Sequence, residues 1–281
     1  MAKILFDIAV AHDPAEWLHS NLVMEISRHI FSYALMNQDK KLLQLRFYEL
    51  DAPNDNKLVQ ELSGIISTDE ILITTTAKKT VIYNFPESQL VPEKYFHIDT
   101  GKDLIALFHG DQDNGITLCE KIKDSEQYNV YGVPAEIHSL LQQHFNNSRY
   151  WHYYSLWAML APEKTAGAAS YLSILFYPKR ILVSAVKDTQ LHLLQSYAYE
   201  AAEDVAYYLL NVCQQLQLSP ESTTVILSGM IDVSSAMYSE MYKYFGQLSL
   251  ENVSAAASVP LMEEYPGHFF SPLLKLAACV S

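Results

Sequence analysis

The clearest pattern of apolar runs and polar breaks lies between positions 171 and 245. Residues 171–177 and 181–186 are short runs rich in β-branched and aromatic side chains, and only Pro178-Lys179-Arg180 separates them. This spacing predicts a tight β-hairpin. After a short polar break, residues 191–199 predict a third strand, so that three consecutive antiparallel strands form a meander.

The apolar period changes after position 200. Apolar residues then recur at helical spacing, at Val205, Leu209, Val212 and Leu216. A polar stop at 219–222 precedes the apolar run 223–227, which is too short for a helix and predicts a buried strand that pairs in parallel with the meander. A second helix follows, and the predicted order is β-β-β-α-β-α.

The same order is predicted in the first half of the chain. Its three strands lie at 22–27, 30–36 and 41–50, and the next helix has apolar residues at Leu58, Leu62, Ile65 and Ile66. Thr80-Val81-Ile82-Tyr83 then resembles Thr224-Val225-Ile226-Leu227, and Lys94-Tyr95-Phe96 resembles Lys243-Tyr244-Phe245. The offset is about half the chain, which predicts a duplicated domain rather than a short-period repeat.

We therefore predict two domains, residues 1–160 and 161–281, which share one topology and face each other across a cleft. Their boundary is expected near positions 160–169, where Pro162 and Gly167 break the periodicity.

Four more segments complete the first domain. Strands are predicted at 4–10, 116–121 and 128–133, and a helix at 135–145. The last segment, residues 272–279, has an apolar helix face and is expected to pack back against the first domain.

The charge balance limits the classes of partner. The 281 residues include 32 acidic and 19 basic side chains with no visible basic cluster, which disfavours nucleic acid and anionic membranes. No signal peptide or membrane-length apolar run is visible, so we expect a cytoplasmic protein without membrane insertion. Cys119, Cys213 and Cys279 are few and far apart, as is usual for reduced thiols.

No catalytic or metal-binding pattern is visible. The sequence lacks His-Glu-x-x-His, Cys-x-x-Cys and Gly-x-Ser-x-Gly. His138 and His144 are six residues apart, which places them on different sides of a helix. Asp7 could be a catalytic carboxylate at a strand end, but a polar residue on an edge strand is the simpler interpretation. We predict neither a metal site nor catalytic residues.

The densest aromatic patch follows the first predicted domain core, at Trp151, Tyr153, Tyr154 and Trp157. One interpretation is a ligand cleft or a partner-binding hot spot. The other, which we favour, is a helix whose aromatic side packs between two domains.

The duplicated unit resembles the ribonuclease H-like half-domain of the actin-like ATPase superfamily. The segments TVIYNFPESQLVPEKYF, YNVYGVPAEIHSLLQQHF and QQLQLSPESTTVILSG resemble an uncharacterised bacterial family of that fold. Within the superfamily the chain is similar to the cytoplasmic scaffold proteins of pilus assembly and type II secretion. The resemblance covers nearly the whole chain and implies an α/β fold with two ribonuclease H-like half-domains in an actin-like arrangement.

Active members of the superfamily bind nucleotide phosphates on two hairpin turns of the form Asp-x-Gly-Thr/Ser or Asp-x-Gly-x-Gly. The corresponding turns here have the sequences Glu25-Ile26-Ser27-Arg28-His29 and Leu175-Phe176-Tyr177-Pro178-Lys179-Arg180, without glycine or aspartate. At the adenosine-contacting turn, one glycine remains in Leu227-Ser228-Gly229-Met230. The residues of a remnant nucleotide site would be Ser27, Arg28, Lys179, Arg180, Ser228 and Gly229.

Two functions are compatible with these departures. The first is a non-catalytic actin-like scaffold that binds an unidentified protein and no cofactor. The alternative is a divergent nucleotide-binding protein or ATPase in which Arg28, Lys179 and Arg180 bind Mg-ATP in the interdomain cleft. We favour the scaffold because flexible side chains lack the preorganisation that backbone donors give to phosphoryl transfer. A ligand without phosphate is a third hypothesis. The sequence leaves the oligomeric state open.

Overall fold

The computed structural model describes residues 2–10, 17, 19–74, 78–160, 170–252 and 265–280. Its contacts divide the chain into a first unit, Met1–Trp157 with Leu273–Ser281, and a second unit, Ala158–Pro272. The domains 1–160 and 161–281 and the cleft between them stay predictions. Residues 161–169 of the expected boundary lie outside the described residues.

The strands described in the first unit form two sheets. They are β1 (Lys3–Ala9), β2 (Asn21–Ile26), β3 (Ile30–Met36), β4 (Leu42–Glu49), β5 (Lys78–Tyr83), β6 (Ser88–Pro92), β7 (Gly115–Lys121), β8 (Gln127–Pro134) and β9 (Arg149–His152). The main sheet has the order β1-β4-β3-β2-β5-β9, and the small antiparallel sheet has the order β6-β8-β7. In the main sheet, β2 pairs in parallel with β5 and β5 with β9, whereas the other pairs are antiparallel.

Helices cover these sheets. They are α1 (Asp55–Thr68), α2 (Glu70–Thr74), α3 (Gly101–His109), α4 (Ala135–His144) and α5 (Tyr153–Leu160). The Asn54 side chain caps α1 by accepting the Lys57 N–H. The apolar face predicted for this helix, from Leu58 to Ile66, is buried. Helix α3 packs on all three strands of the small sheet.

The second unit contains one five-stranded sheet. Its strands are β10 (Tyr171–Tyr177), β11 (Arg180–Lys187), β12 (Gln190–Ala198), β13 (Thr224–Gly229) and β14 (Gln247–Leu250), in the order β12-β11-β10-β13-β14. Its helices are α6 (Ala202–Leu216) and α7 (Ala236–Tyr242). The Asp204 carboxylate accepts the N–H groups of Glu200 and Ala201 at the start of α6.

The two units repeat one topology. The order β4-β3-β2-β5-β9 matches β12-β11-β10-β13-β14, with the same antiparallel and parallel pairs. The prediction of β-β-β-α-β-α in both halves is confirmed. The first unit adds β1 at one edge and inserts residues 84–134, which contain β6, α3, β7 and β8, before its second repeat helix, α4.

The core uses equivalent positions in both units. Leu22, Met24 and Ile26 of β2 lie in the core of the first unit, together with residues of α1 and α4. By strand register, their equivalents in β10 are Leu172, Ile174 and Phe176, which lie in the core of the second unit with residues of α6. The alternation along each first strand therefore sets which face the helices cover.

The last helix, α8 (Ser271–Val280), is attached to the first unit from Leu273 onward. Leu273, Leu274, Leu276 and Ala277 are buried. The Lys40 ammonium donates a 2.8 Å hydrogen bond to the Ala278 carbonyl near the end of this helix, where the dipole favours a positive charge.

Three details of the sequence-based prediction were wrong. Lys94 and Tyr95 lie in a 3₁₀ helix inside the insertion, whereas Lys243-Tyr244-Phe245 follows α7, so the two similar triplets are not equivalent. Trp151 and His152 belong to strand β9, and the helix of the aromatic patch begins only at Tyr153. The short elements β6, α3 and β14 were missed.

Candidate functional site

The first hairpin turn satisfies its own polar groups. The Ser27 N–H donates to the Ile30 carbonyl at 2.9 Å, and the Ile30 N–H donates to Ser27 Oγ at 3.0 Å. Ser27 is buried. The N–H groups of Ser27 and Ile30, on either side of the Arg28-His29 tip, are therefore engaged inside the hairpin and are not free to bind a phosphate.

Arg28 is neutralised by carboxylates of its own unit. Its Nη1 lies 2.5 Å from Asp55 Oδ1, and its Nη2 lies 3.7 Å from Glu87 Oε1. The guanidinium carbon is also 5.7 Å from the centre of the Phe85 ring. The side chain is 34% exposed, so the pair is a partly solvated one. A phosphate would have to compete with Asp55 for this cation.

The second hairpin turn is closed by the pair Tyr177 and Arg180, with Pro178 and Lys179 at its tip. Proline has no N–H, so the turn lacks one of the donors that a phosphate-binding loop needs. Lys179 is exposed, and the Arg180 guanidinium lies 5.0 Å from the centre of the Tyr177 ring.

Ser228 and Gly229 end strand β13. Gly229 has a φ of 77°, and an added Cβ would lie 2.4 Å from the Phe176 carbonyl oxygen. The Met230 N–H donates to this carbonyl at 2.9 Å, and Ser228 Oγ donates to the Ile174 carbonyl at 3.4 Å. In this left-handed conformation a Cβ would collide with the Phe176 carbonyl, so the conformation requires a glycine here.

Strand register places Tyr83 in the first unit where Gly229 lies in the second. The next N–H, of Asn84, donates to the Ile26 carbonyl at 2.8 Å, as Met230 does to Phe176. Tyr83 is buried, and its hydroxyl lies 2.7 Å from Nδ1 of His138. The first unit therefore fills this strand end with a side chain.

One polar pair was missed by sequence reasoning. Glu25 is buried near the end of β2, and its Oε1 accepts a 2.6 Å hydrogen bond from Asn84 Nδ2 at the end of β5. The available signal was a lone acid inside the apolar run Leu22-Val23-Met24-Glu25-Ile26.

A buried polar cluster joins the small sheet to the main sheet. Ser88 Oγ donates to Asn129 Oδ1 at 2.7 Å, and Asn129 Nδ2 donates to Ser155 Oγ at 3.0 Å. His152 Nε2 lies 3.1 Å from the Phe85 carbonyl, and its Nδ1 accepts the Tyr154 N–H at 3.2 Å. These partners assign the neutral tautomer with the proton on Nε2.

Glu120 borders this cluster. It accepts hydrogen bonds from the Tyr131 hydroxyl at 2.5 Å and from the His152 N–H at 3.0 Å. Burial raises the pKa of the Glu120 carboxyl, and burial with the neighbouring Glu120 charge raises the pKa of the Tyr131 hydroxyl. Ser88, Asn129, His152 and Ser155 are fully buried, so the cluster fixes the two sheets and offers no access to a substrate.

A second buried carboxylate, Asp69, lies between α1 and α2. It accepts hydrogen bonds from the hydroxyls of Tyr33 and Tyr48 at 3.0 and 2.6 Å, and it pairs with Arg46 at 2.9 Å. Burial raises the pKa of both tyrosine hydroxyls. Arg46 also pairs with Asp7 of the edge strand β1 at 2.8 Å. Asp7 is therefore part of an ion-pair network that ties β1 to β4.

The aromatic patch is largely internal. Tyr153, Tyr154 and Trp157 are buried, and the rings of Tyr153 and Trp157 stack with their centres 5.6 Å apart. Trp151 is half-buried. Of the four rings, Trp151 alone exposes an appreciable surface in the structure.

Within the part of the chain that the structure describes, no group of three or more His, Cys, Asp or Glu side chains is placed to hold a metal ion. No described helix is both long and apolar enough to cross a membrane.

The duplicated sheets define a protein of the actin-like ATPase fold. A Bacteroides thetaiotaomicron protein described as having this fold and unknown function is 17% identical, with a TM-score of 0.79, and the alignment covers 96% of this chain and 99% of that one. Residues 12–248 match the family model described as "Protein of unknown function (DUF3822)", and the chain belongs to this family. The predicted resemblance to an uncharacterised family of this fold is confirmed.

Two further solved structures belong to pilus and secretion systems. The PilM–PilN type IV pilus biogenesis complex is 11% identical with a TM-score of 0.53, covering 92% of this chain and 96% of that one. The cytoplasmic domain of EpsL, from the type II secretion system of Vibrio cholerae, is 14% identical with a TM-score of 0.47, covering 93% and 95%. No curated protein matches the sequence.

Proposed function

We propose that this protein is a non-catalytic actin-like scaffold that acts in the cytoplasm by binding another protein. One observation supports the proposal: both turns at the positions of the phosphate-binding turns lack glycine, and donors in each are either engaged within the hairpin or missing. In the first, Ser27 and Ile30 bond to each other and Arg28 pairs with Asp55. In the second, Pro178 removes a donor from a turn closed by Tyr177 and Arg180.

Phosphoryl transfer depends on preorganised charge and on donors that surround the phosphates. Of the three cations in the alternative site, Arg28 is compensated by Asp55, and Arg180 lies over the Tyr177 ring. Lys179 would then bind phosphate as a single solvated charge. Such a contact contributes little in water, which favours the scaffold over the divergent ATPase.

The relatives support a protein partner. The PilM–PilN structure is a complex of two proteins, and its PilM-like fold is shared by this chain. The aromatic patch contributes to this proposal only through Trp151, since Tyr153, Tyr154 and Trp157 are buried and are better suited to packing.

A thermal-shift titration with Mg-ATP up to millimolar concentration tests the absence of a nucleotide site. Stabilisation by a ligand follows RT ln(1 + [L]/Kd), so a Kd far above the ATP concentration leaves Tm unchanged. We expect no shift in Tm and no phosphate release above the buffer background.

Lys179→Ala is the matched variant for this titration, because it removes an exposed cation at the turn tip without touching the core. A saturable rise in Tm that disappears in Lys179→Ala would overturn the scaffold proposal in favour of the divergent nucleotide-binding protein. A rise that persists in the variant would place a nucleotide site elsewhere and overturn it equally.

A further inference from the structure

The insertion of the first unit exposes an unusual group of apolar side chains. Leu107 is 75% exposed, Ile98 73%, Tyr95 64% and Phe108 58%. Leu107 and Ile98 are the two most exposed large hydrophobic residues among those the structure describes. We refer to Tyr95, Ile98, Leu107 and Phe108 as the α3 surface. Scattered single hydrophobic residues are normal, but here two precede α3 and two lie in its last turn, so that one short helix carries exposed apolar residues at both of its ends and is a candidate for binding an elongated partner.

Helix α3 is apolar on two sides. Gly101 and Ile105 are buried, and Ile105 packs with Val91 and Val130 of the small sheet. A surface helix with one covered face normally presents polar residues on the other. Here the other side presents Leu107 and Phe108 to solvent instead. Packing within the unit therefore does not account for Leu107 and Phe108.

The segment before α3 is anchored. The Phe96 ring stacks on Tyr128 of β8 with 4.0 Å between ring centres, and Lys121 of β7 pairs with Glu93 at 2.6 Å. Tyr95 and Ile98 flank this anchor and remain exposed. The α3 surface is thus held by the small sheet, which reduces the ordering cost of binding.

Acidic side chains outnumber basic ones in the segment that carries the α3 surface. The carboxylates of Asp99, Asp103, Asp111 and Asp113 are exposed, and none of them pairs with a described residue. The exposed cations of the same segment are Lys102 and Lys94, whose ammonium lies 4.7 Å from the centre of the Tyr95 ring. Asp103 lies one helical turn before Leu107, on the same side of α3. A complementary partner would combine an apolar face with Lys or Arg at its margins.

We propose that the α3 surface binds a basic amphipathic α-helix of a partner protein. Asp103 and Leu107 form a ridge of residues four apart on the exposed side of α3, and a second helix can pack against this ridge and against Phe108. A second copy of this chain would bring the same aspartates together, and an anionic membrane would be repelled by them. The inference rests on the proposed scaffold function and identifies the partner class and its binding surface.

The test uses a fluorescein-labelled 18-residue peptide of leucine and lysine arranged as an amphipathic helix, with fluorescence anisotropy as the readout. The matched peptide has glutamate in place of each lysine. We expect saturable binding of the lysine peptide that weakens with added salt, and no binding of the glutamate peptide. Failure of the lysine peptide to bind would overturn the proposal.

Variants separate this surface from general attraction to an acidic protein. Leu107→Ser with Phe108→Ser should weaken binding at least about tenfold, since a tenfold change corresponds to about 1.4 kcal/mol of lost apolar contact. Asp103→Asn with Asp111→Asn should weaken it several-fold and flatten its salt dependence. The matched control, Tyr207→Ser with Tyr242→Ser, removes exposed rings from the second unit and should leave binding unchanged.

Equal binding by the Leu107/Phe108 variant and the wild type would mean attraction by net charge alone and would overturn the proposal. A concentration-dependent dimer that this variant abolishes would assign the surface to a second copy instead. The peptide results can be distinguished from a failure of the proposed scaffold function. That failure is a shift in Tm with Mg-ATP, which is measured independently of peptide binding.

Discussion

The first and second units use one strand order, but only the first interrupts it. Residues 84–134 lie between β5 and the repeat helix α4, whereas residues 230–235 alone join β13 to α7. The equivalent core residues on β2 and β10 are apolar in both units, although the two hairpin turns and the ends of β5 and β13 differ in sequence. The shared sheet therefore depends on the alternation of buried and exposed side chains along its strands. The differences between the two units lie in the insertion and at the ends of the strands.

The strand ends show the difference most directly. Gly229 allows the backbone of the second unit to approach Phe176, whereas the first unit has Tyr83 in the same register and adds the buried Glu25–Asn84 pair beside it. The two units therefore make the same backbone hydrogen bond from different conformations, with a left-handed glycine in one case and a packed tyrosine at negative φ in the other.

The largest expected effect follows from Gly229→Ala. The added Cβ would lie 2.4 Å from the Phe176 carbonyl oxygen at a φ of 77°, so the backbone must shift. We expect a loss of about 2–4 kcal/mol in the free energy of unfolding, measured by chemical denaturation.

Gly64→Ala is the control for this substitution. Gly64 lies inside α1 of the first unit with no atom within 4 Å of an added Cβ. The variant should gain about 0.5–1 kcal/mol, because alanine favours the helix. If the Gly229→Ala protein were as stable as the wild type, the backbone conformation would not require Gly229. That result would favour a role for this strand end in ligand binding.

Much of the repeat could be predicted from the sequence, because its strands are long, alternate cleanly and are joined by short polar turns. The misses have physical causes. Helix α3 carries apolar residues on two sides, so Leu104, Ile105, Leu107 and Phe108 obscure a helical period. Strands β9 and β14 have four residues each, which is too few for a periodic signal.

The candidate site was less predictable because its contacts are distant in sequence. Arg28 meets Asp55 across 27 positions, and Glu25 meets Asn84 across 59. Both pairs depend on strand register and helix placement, which a local pattern does not specify. The absence of glycine from the hairpin turns was visible in the sequence, but the neutralisation of Arg28 was not.

A smaller effect is expected where the insertion joins the repeat. In a fully buried cluster, Asn129→Ala removes the donor to Ser155 and to Nδ1 of His152, and it leaves Ser88 Oγ with only the longer contact of 3.3 Å to that nitrogen. Since an unsatisfied buried polar group costs about 1–3 kcal/mol, we expect a loss of about 2 kcal/mol in the free energy of unfolding.

The matched variant for Asn129→Ala is Thr224→Ala in the second unit. It removes an exposed hydrogen bond of 3.1 Å to Gln247 and should cost less than about 0.5 kcal/mol. If the two substitutions lowered the free energy of unfolding equally, the buried cluster would not hold the insertion firmly. The α3 surface would then not be rigidly attached to the main sheet.

The smallest expected effect on stability concerns Tyr83, at the end of β5, and its neighbour His138. Burial lowers the pKa of His138, whose Nδ1 lies 2.7 Å from the Tyr83 hydroxyl. The unfolded chain therefore binds a proton more readily than the folded one between this lowered pKa and about 6.5. The stability contributed by neutral His138 is present above about pH 6.5 and is lost as the pH falls through that window.

Denaturation at pH 7.5 and pH 5.5 should show a larger loss of stability on acidification in the wild type than in His138→Gln. Because burial is the cause of the shift, Tyr83→Phe should retain most of the wild-type pH dependence although it lowers stability at both values. If Tyr83→Phe instead abolishes the pH dependence, the hydroxyl contact and not burial holds His138 neutral. The ring that replaces glycine at this strand end would then have a polar role as well as a packing one.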